Sequence, residues 1–331
     1  MIDAINKTKA LELAQQRFEE RMTRHPRSFL SVEDLTSAET KNILRRGIEM
    51  KKDPNDSSTD MQNQSVALLF QKTSTRTRCS FENAAAELGA FPSYIDWKTS
   101  NFVLADLQDE VIVLSRFYDM IVARVNKHET LVTMAKHSES PVINGLCDKG
   151  HPCQALADVM TMNEHFGSAL EGLRITYIGD GNNVCRSLVH AAIKVGAKVN
   201  LCSPELYALD EETVASGNGL VVRVANPTEA VRDADVIYTD TWVSMGEEAE
   251  TKERLAAFKH YQVNEQLINS APSRALFMHC LPAHPGQEVT PEVLRSPRSI
   301  VFDQAENRKH VQKALMQFLG HQKSPSAQLS R

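Results

Sequence analysis

Along most of the chain, short runs of consecutive apolar residues alternate with longer stretches in which apolar residues return every three or four positions. Val66-Ala67-Leu68-Leu69-Phe70 and Met120-Ile121-Val122-Ala123 are of the first kind, whereas Phe81, Ala84, Ala85 and Leu88 recur at helical spacing. Uninterrupted runs of this length read as buried strands, and the spaced recurrence as helices packed against them. The pattern predicts strands near 65–70, 92–97, 119–124 and 141–146, separated by helices near 75–89, 106–117 and 128–138. After a helix near 152–166, strands follow near 173–179, 197–202, 219–224, 235–239 and 275–279, again with helices between them. Such alternation builds βαβ units on parallel sheets. The expected fold class is therefore α/β, with two doubly wound parallel-sheet domains.

The flanks carry weaker patterns. Leu11, Ala14, Phe18 and Met22 form an apolar stripe that predicts an amphipathic helix, leaving residues 1–27 as an N-terminal helical extension. The body begins at Ser28-Phe29-Leu30, with Thr36 or Ser37 capping a helix that runs to about Lys52. Asp53 to Gln64 is rich in Asp, Asn and Ser and reads as a surface loop. A last helix near 304–319 places Val311, Ala314, Leu315 and Phe318 on one face, and the tail from Gln322 is expected to fray.

Length and charge narrow the functional classes. A chain of 331 residues exceeds the usual single core. A formal net charge of −5 argues against a nucleic-acid binder, which shows a basic face. Six cysteines without a C-x-x-C pair suit reduced thiols rather than a disulfide framework. No apolar run approaches membrane-spanning length, and Asp3, Glu12, Glu19 and Glu20 make the N-terminus unlike a secretory or transit signal. The expected location is the cytoplasm.

Against this acidic background one basic cluster stands out. Thr73-Ser74-Thr75-Arg76-Thr77-Arg78 follows the strand 65–70 and opens the next helix. A helix start offers unpaired N–H groups and the positive end of the dipole, and guanidinium forks meet phosphate or carboxylate oxygens in pairs. A multiply charged anion fits there better than an ordinary Ser/Thr cap beside two solvated arginines.

In open parallel sheets ligands sit beyond the carboxyl ends of strands, and four further strand ends are chemically loaded. Arg124 ends an apolar run, and His151-Pro152-Cys153-Gln154 opens the helix after the next strand. Asp240-Thr241-Trp242-Val243-Ser244-Met245-Gly246 follows Val236-Ile237-Tyr238, and His279-Cys280-Leu281-Pro282 closes Ala275-Leu276-Phe277-Met278. Taken singly, His151 reads equally as a helix cap, Cys280 as packing and Asp240 as a turn residue. Their common position at strand ends makes a converging site the better reading. The spacing of His151, Cys153, His279 and Cys280 matches no metal site, so no metal is expected. Gly179-Asp180-Gly181-Asn182-Asn183 invites a dinucleotide reading but lacks the third glycine and a clean acidic ribose partner. Asn182 or Asn183 can instead hold a carboxylate.

With these residues in place, the chain resembles the carbamoyltransferases, and most closely their ornithine branch. Ser74-Thr75-Arg76-Thr77-Arg78 is similar to the family's carbamoyl phosphate signature, and His151-Pro152-Cys153-Gln154 to its carbamoyl-contacting segment. The ornithine branch is suggested by Asp240 with Ser244-Met245-Gly246, by His279-Cys280-Leu281-Pro282 and by Asp303-Gln304-Ala305-Glu306-Asn307-Arg308. The similarity covers roughly Phe29 to Leu319. It implies a carbamoyl phosphate domain at 28–150 and an ornithine domain at 151–303. Two interdomain helices would join them, the last, about 304–320, packing back on the first domain. It also implies a homotrimer or a multiple of trimers, and no cofactor. One departure is plain: where the family has a loop resembling Gln-Leu-Gly-Lys-Gly-Glu that reaches toward a neighbouring subunit, this chain has Ser100-Asn101-Phe102-Val103-Leu104-Ala105.

The activity so implied is carbamoyl transfer from carbamoyl phosphate to the δ-amine of L-ornithine, giving L-citrulline and phosphate. A catalyst of that reaction must hold a dianionic leaving group, stabilise an oxyanion and supply a neutral amine. Ser74, Thr75, Arg76 and Thr77 fit the first task, and Arg124, His151 and Gln154 fit the second as donors to the carbonyl oxygen. Asn183, Asp240, Ser244 and Met245 would grip the α-carboxylate and α-amino group, with Cys280, Leu281 and Arg308 near the reacting end. The competing readings are a carbamoyltransferase for putrescine, another diamino acid or an acylornithine, a non-catalytic phosphate-binding regulator, and a nicotinamide-dependent oxidoreductase using the Gly179 loop.

Overall fold

The strands form two separate all-parallel sheets, with the buried apolar runs at their centres. The computed structural model describes residue 15 and residues 26–53, 59–168, 170–243 and 248–320. Both the 11–22 apolar stripe, Gln15 apart, and the tail from Gln322 lie outside these residues. The first sheet contains β1 (Ser65–Phe70), β2 (Phe91–Asp96), β3 (Met120–Arg124) and β4 (Val142–Leu146), in the order β2-β1-β3-β4. The second contains β5 (Arg174–Ile178), β6 (Lys198–Cys202), β7 (Val221–Arg223), β8 (Val236–Thr239) and β9 (Leu276–His279), in the order β7-β6-β5-β8-β9. The fold class is α/β, with two parallel-sheet units.

In each sheet the chain starts at an inner strand, works outward, then jumps back to the other side of that strand. The jumps fall between β1 and β3 and between β5 and β8. At such switch points the connecting helices leave on opposite faces, so the carboxyl ends of those strand pairs open into a crevice. The residues there are Thr73, Ser74 and Arg124 in the first sheet, and Asp180 and Asp240 in the second. A register shift between Ala123 and Arg124 pairs Arg124 with Leu146 and interrupts the ladder at the crevice.

Helices cover both sheets. In the first half they are α1 (Ser37–Lys52), α2 (Thr75–Glu87), α3 (Leu107–Phe117) and α4 (His128–His137). α5 (Pro152–Phe166) leads into the second half, where α6 (Asn183–Val195) follows β5. α7 (Glu211–Ser216), α8 (Pro227–Ala230), α9 (Thr251–Phe258), α10 (Glu265–Ser270) and α11 (Pro291–Leu294) complete the connections. α12 (Val301–Gly320) begins ahead of the stripe seen in the sequence, because Val301 is also buried.

α1 starts at Thr36, whose Oγ1 accepts from the Glu39 N–H at 3.2 Å while Glu39 Oε2 accepts from the Thr36 N–H at 2.8 Å. That reciprocal pair satisfies two otherwise orphaned donors. α12 packs on α1, α2 and α5. Its polar ties include Lys51 Nζ to Asn307 Oδ1 at 2.8 Å and Asn307 Nδ2 to Thr161 Oγ1 at 2.9 Å. α12 therefore sits against α1, and carries Gln304 and Arg308 toward the crevice. Among the described residues no helix is long and apolar enough to cross a membrane.

Candidate active site

One cleft of about 820 Å³ runs between the two switch points. Ser74, Arg76, Arg124, His151, Gln154, Asn183, Asp240, Cys280, Leu281 and Arg308 all border it. Thr77 sits behind the wall, Thr75 is not on it, and Ser244 and Met245 lie outside the described residues.

The first half of the cleft is cationic. Ser74 caps α2, its Oγ accepting from the Thr77 N–H at 3.3 Å, so the first turn points free N–H groups outward. Arg308 Nη2 donates to Thr77 Oγ1 at 2.7 Å, and Arg124 Nη1 approaches the same oxygen at 3.5 Å. Arg124 and Arg308 are almost fully buried, and neither has a carboxylate partner among the described residues. Burial, then Arg308 and Arg76, lowers the Arg124 guanidinium to about 10. Burial and the same three arginines hold His151 well below the usual imidazole range, so it is neutral at pH 7. Buried cations with no counter-ion are costly unless an anion completes them. Arg308, expected near the reacting end, shares the cleft wall with Cys280 and Leu281 and turns its guanidinium against Thr77.

Gln154 takes a different part from the donor role expected of it. Its Nε2 donates to Asp158 Oδ1 at 2.9 Å, leaving Oε1 without a partner in the protein. The free atom is an acceptor. His151 is held by its backbone, the N–H donating to Ser187 Oγ at 2.8 Å, and its Nδ1 has no partner among the described residues.

The opposite wall is anionic and thiol-bearing. Asn182 caps α6, with Oδ1 accepting from the Val184 and Cys185 N–H groups, and its Nδ2 donates to Asp240 Oδ2 at 2.9 Å. Cys280 Sγ donates to Asp240 Oδ1 at 3.0 Å. Burial, and next the Asp240 carboxylate, push the Cys280 thiol well above its usual value. It stays protonated and is not a nucleophile at neutral pH. Asn183 Nδ2 donates to the Cys147 carbonyl at 2.6 Å, so part of its donor capacity is already committed.

The Gly179-Asp180-Gly181 turn serves packing. A Cβ on Gly181 would stand 2.3 Å from the Leu209 backbone nitrogen, and the Asn182 side chain occupies the N–H groups a pyrophosphate would use. Asp240, His279 and Cys280 bring three potential metal ligands together. However, His279 Nδ1 accepts from the Leu281 N–H at 2.9 Å, so its proton is on Nε2, donated to Glu288 Oε1 at 3.2 Å. Both ring nitrogens are engaged, and the thiol keeps its proton, so this donor set does not fit an ion.

Several cleft residues escaped the sequence reading. Leu146 ends β4, and the strand-end rule would have found it had apolar residues been weighed. Asp180 and Arg254 form a buried ion pair at 3.0 Å, in which Arg254 also donates to the Trp242 carbonyl at 3.0 Å. Arg254 lies within α9, where no local pattern pointed to it.

Comparison with known proteins follows the same division. Residues 27–164 match the family model for the carbamoyl-P binding domain of aspartate/ornithine carbamoyltransferase, and residues 171–319 that for the Asp/Orn binding domain. The chain is 47% identical over 267 residues to an ornithine carbamoyltransferase of Pyrococcus horikoshii, covering 78% of this chain and 84% of that one. It is 45% identical over 301 residues to the one from Thermococcus kodakarensis, covering 88% and 95%. The solved ornithine carbamoyltransferase from Pyrococcus furiosus superposes with a TM-score of 0.83 at 44% identity, covering 88% of this chain and 96% of that one.

Proposed function

Because the chain belongs to the aspartate/ornithine carbamoyltransferase family, we propose that it transfers the carbamoyl group of carbamoyl phosphate to the δ-amine of L-ornithine, giving L-citrulline and phosphate. The observation that carries this reading is one cleft with two unlike halves. Arg76, Arg124 and Arg308 converge without a carboxylate at the start of α2, and Asp240 with Asn182 and Cys280 faces them across about 820 Å³.

In this reading the phosphate takes the first-turn backbone N–H groups of α2 at Thr75 and Arg76, the Ser74 hydroxyl and the guanidinium of Arg76, while Thr77 steadies Ser74 and Arg308 from behind. As the C–O bond to phosphate lengthens, charge grows on that oxygen and on the carbonyl oxygen, and donors already fixed there need no reorganisation. Arg124 and His151 supply them. The neutral imidazole donates one hydrogen bond without adding a fourth cation. Gln154 Oε1 accepts from the carbamoyl NH₂, which orients the electrophilic carbon.

The amine must arrive unprotonated, and an aliphatic amine has a pKa of about 10.4. Placing it beside Arg124 and Arg308 in a buried site favours the neutral form. Asp240, with Asn183, Ser244 and Met245, holds the α-ammonium and α-carboxylate, while Cys280, Leu281 and Arg308 border the reacting end. The amine attacks the carbonyl carbon, the C–O bond to phosphate breaks, the departing phosphate takes up the proton that the amine nitrogen loses, and no covalent enzyme intermediate or cofactor is required. We assign carbamoyl phosphate binding to residues 28–150, ornithine binding to 151–303, and a cytoplasmic homotrimer or multiple of trimers as the working form. Colorimetric citrulline assay of the purified full chain tests the reaction. Product should require both substrates, and its absence with both present would overturn the assignment.

A further inference from the structure

A buried carboxylate that touches no cleft space lies directly behind Gln154. Asp158 is one helical turn further along α5 and is 0% exposed. Its Oδ1 accepts from Gln154 Nε2 at 2.9 Å and from Gln304 Nε2 at 2.7 Å, and its Oδ2 accepts from the Tyr238 hydroxyl at 3.1 Å. Gln304 in turn accepts the His279 N–H on Oε1 at 2.9 Å. One carboxylate thus ties α5, α12, β8 and the end of β9 where Cys280 begins.

Above about pH 7 the Asp158 carboxyl is ionised and only accepts hydrogen bonds, so any amide facing it must turn its nitrogen inward. With an amide or a hydroxyl at position 158, either end of Gln154 could face inward. Asp158 removes that freedom, and the partnerless Oε1 of Gln154 is the result. We propose that Asp158 is a positioning residue that fixes the amide orientation of Gln154, so that the cleft presents an acceptor and selects an NH₂-bearing acyl phosphate over a bare phosphate. The proposal rests on the carbamoyl transfer reading above for its ligand, and on the hydrogen-bond set alone for the orientation.

The test compares Asp158→Ala, Asp158→Asn, Gln154→Ala and the double variant Asp158→Ala/Gln154→Ala. In each, KM for carbamoyl phosphate is set against the inhibition constant for inorganic phosphate, which uses the arginines but not Gln154. Asp158→Ala should raise the ratio of KM to the phosphate constant about tenfold or more, with the phosphate constant changed less than twofold. Adding Gln154→Ala should change little further, because groups acting through one another are non-additive. Asp158→Asn, which keeps the volume but lets either end of Gln154 face inward, should fall between wild type and Asp158→Ala. A parallel loss of phosphate affinity, or multiplicative effects in the double variant, would show a merely structural role and overturn the proposal.

A second readout needs neither catalysis nor a folded variant. In the wild-type chain labelled with ¹⁵N-glutamine, the Gln154 side-chain amide should show a proton slow to exchange with solvent, and rapid exchange of both would overturn the orientation. Failure of the carbamoyl transfer reading would appear separately, as no citrulline from wild-type protein that still shows the protected amide.

Discussion

Arg308 Nη2 stands 2.7 Å from Thr77 Oγ1, a bond across 231 residues that closes the last helix onto the start of α2. Thr77 is fully buried and Arg308 nearly so, and Arg124 approaches the same hydroxyl. The cationic end of the cleft therefore needs segments that lie 231 residues apart.

Arg308→Leu should separate binding from stability. Its guanidinium is held below the usual range chiefly by burial, and Arg76 adds repulsion. Removing it relieves like-charge crowding in the empty protein, so melting without ligand should be unchanged or slightly higher. Turnover should fall by about 10²–10³ in kcat/KM, the loss typical of one preorganised donor. Stabilisation by added phosphate should shrink in the same melting series. A variant that unfolds in the absence of ligand would contradict this account.

Arg76→Ala should behave differently, since Arg76 is exposed on the first turn of α2 and makes no hydrogen bond among the described residues. Far-UV circular dichroism and melting should match wild type, while kcat/KM falls by about 2.7–4 kcal/mol of transition-state stabilisation. Near-normal turnover would mean that the phosphate sits elsewhere.

The fold was legible because its inner strands, β1, β3 and β8 among them, are apolar runs buried along almost their whole length, and such runs need no tertiary information to be recognised. The cationic cluster at the start of α2 was legible for a related reason: capping residue, dipole and arginines all fall within Thr73 to Arg78. The bond from Arg308 to Thr77 was not legible, because the two are distant in sequence and no local spacing reveals that pairing. Gln154 was misread because the side that its amide turns inward depends on Asp158, whose burial is a property of packed helices. Arg254 was missed altogether, since its role comes from pairing with Asp180 across the cleft wall.

Glu288→Ala should cost stability as well as activity. Glu288 is completely buried and accepts from His279 Nε2 at 3.2 Å and from the His284 N–H at 2.5 Å. Losing it strands two donors, each worth about 1–3 kcal/mol when buried and unpaired. A fall of about 2–5 kcal/mol in unfolding free energy is expected by urea titration, along with reduced turnover because His279 precedes Cys280. A shift below 1 kcal/mol would show that solvent reaches the pair.

Asp158 predicts a pH dependence of stability. Burial raises its carboxyl to about 7, against the lowering effect of Gln154, Gln304 and Tyr238. Between about pH 4 and 7 the folded chain then holds a proton that the unfolded chain has released, so stability falls as pH rises through this window. The loss is at most about 4 kcal/mol, from about 1.36 per unit over roughly three units. Asp158→Asn should lack this component, so its stability relative to wild type should improve steadily from pH 4 to pH 8. A constant difference across that range would place the Asp158 proton equilibrium outside it.

The amine half of the cleft makes the sharpest demand on substrate. Asp240 accepts from Asn182 and Cys280, so its carboxylate is already oriented and retains lone pairs for a cation. A free α-ammonium suits it, whereas an acylated nitrogen carries no charge and adds bulk beside Asn182. Putrescine lacks the carboxylate, so donors built for that group would be left unpaired, a defect that can cost as much as about 10⁴-fold. In parallel assays with ornithine, 2,4-diaminobutyrate, lysine, putrescine and N-acetylornithine, kcat/KM for ornithine should lead by orders of magnitude. Asp240→Asn should raise KM for ornithine at least tenfold while leaving phosphate inhibition within about twofold, because the arginine end is untouched. A clear preference for another amine would overturn the ornithine assignment and leave the carbamoyl phosphate end intact.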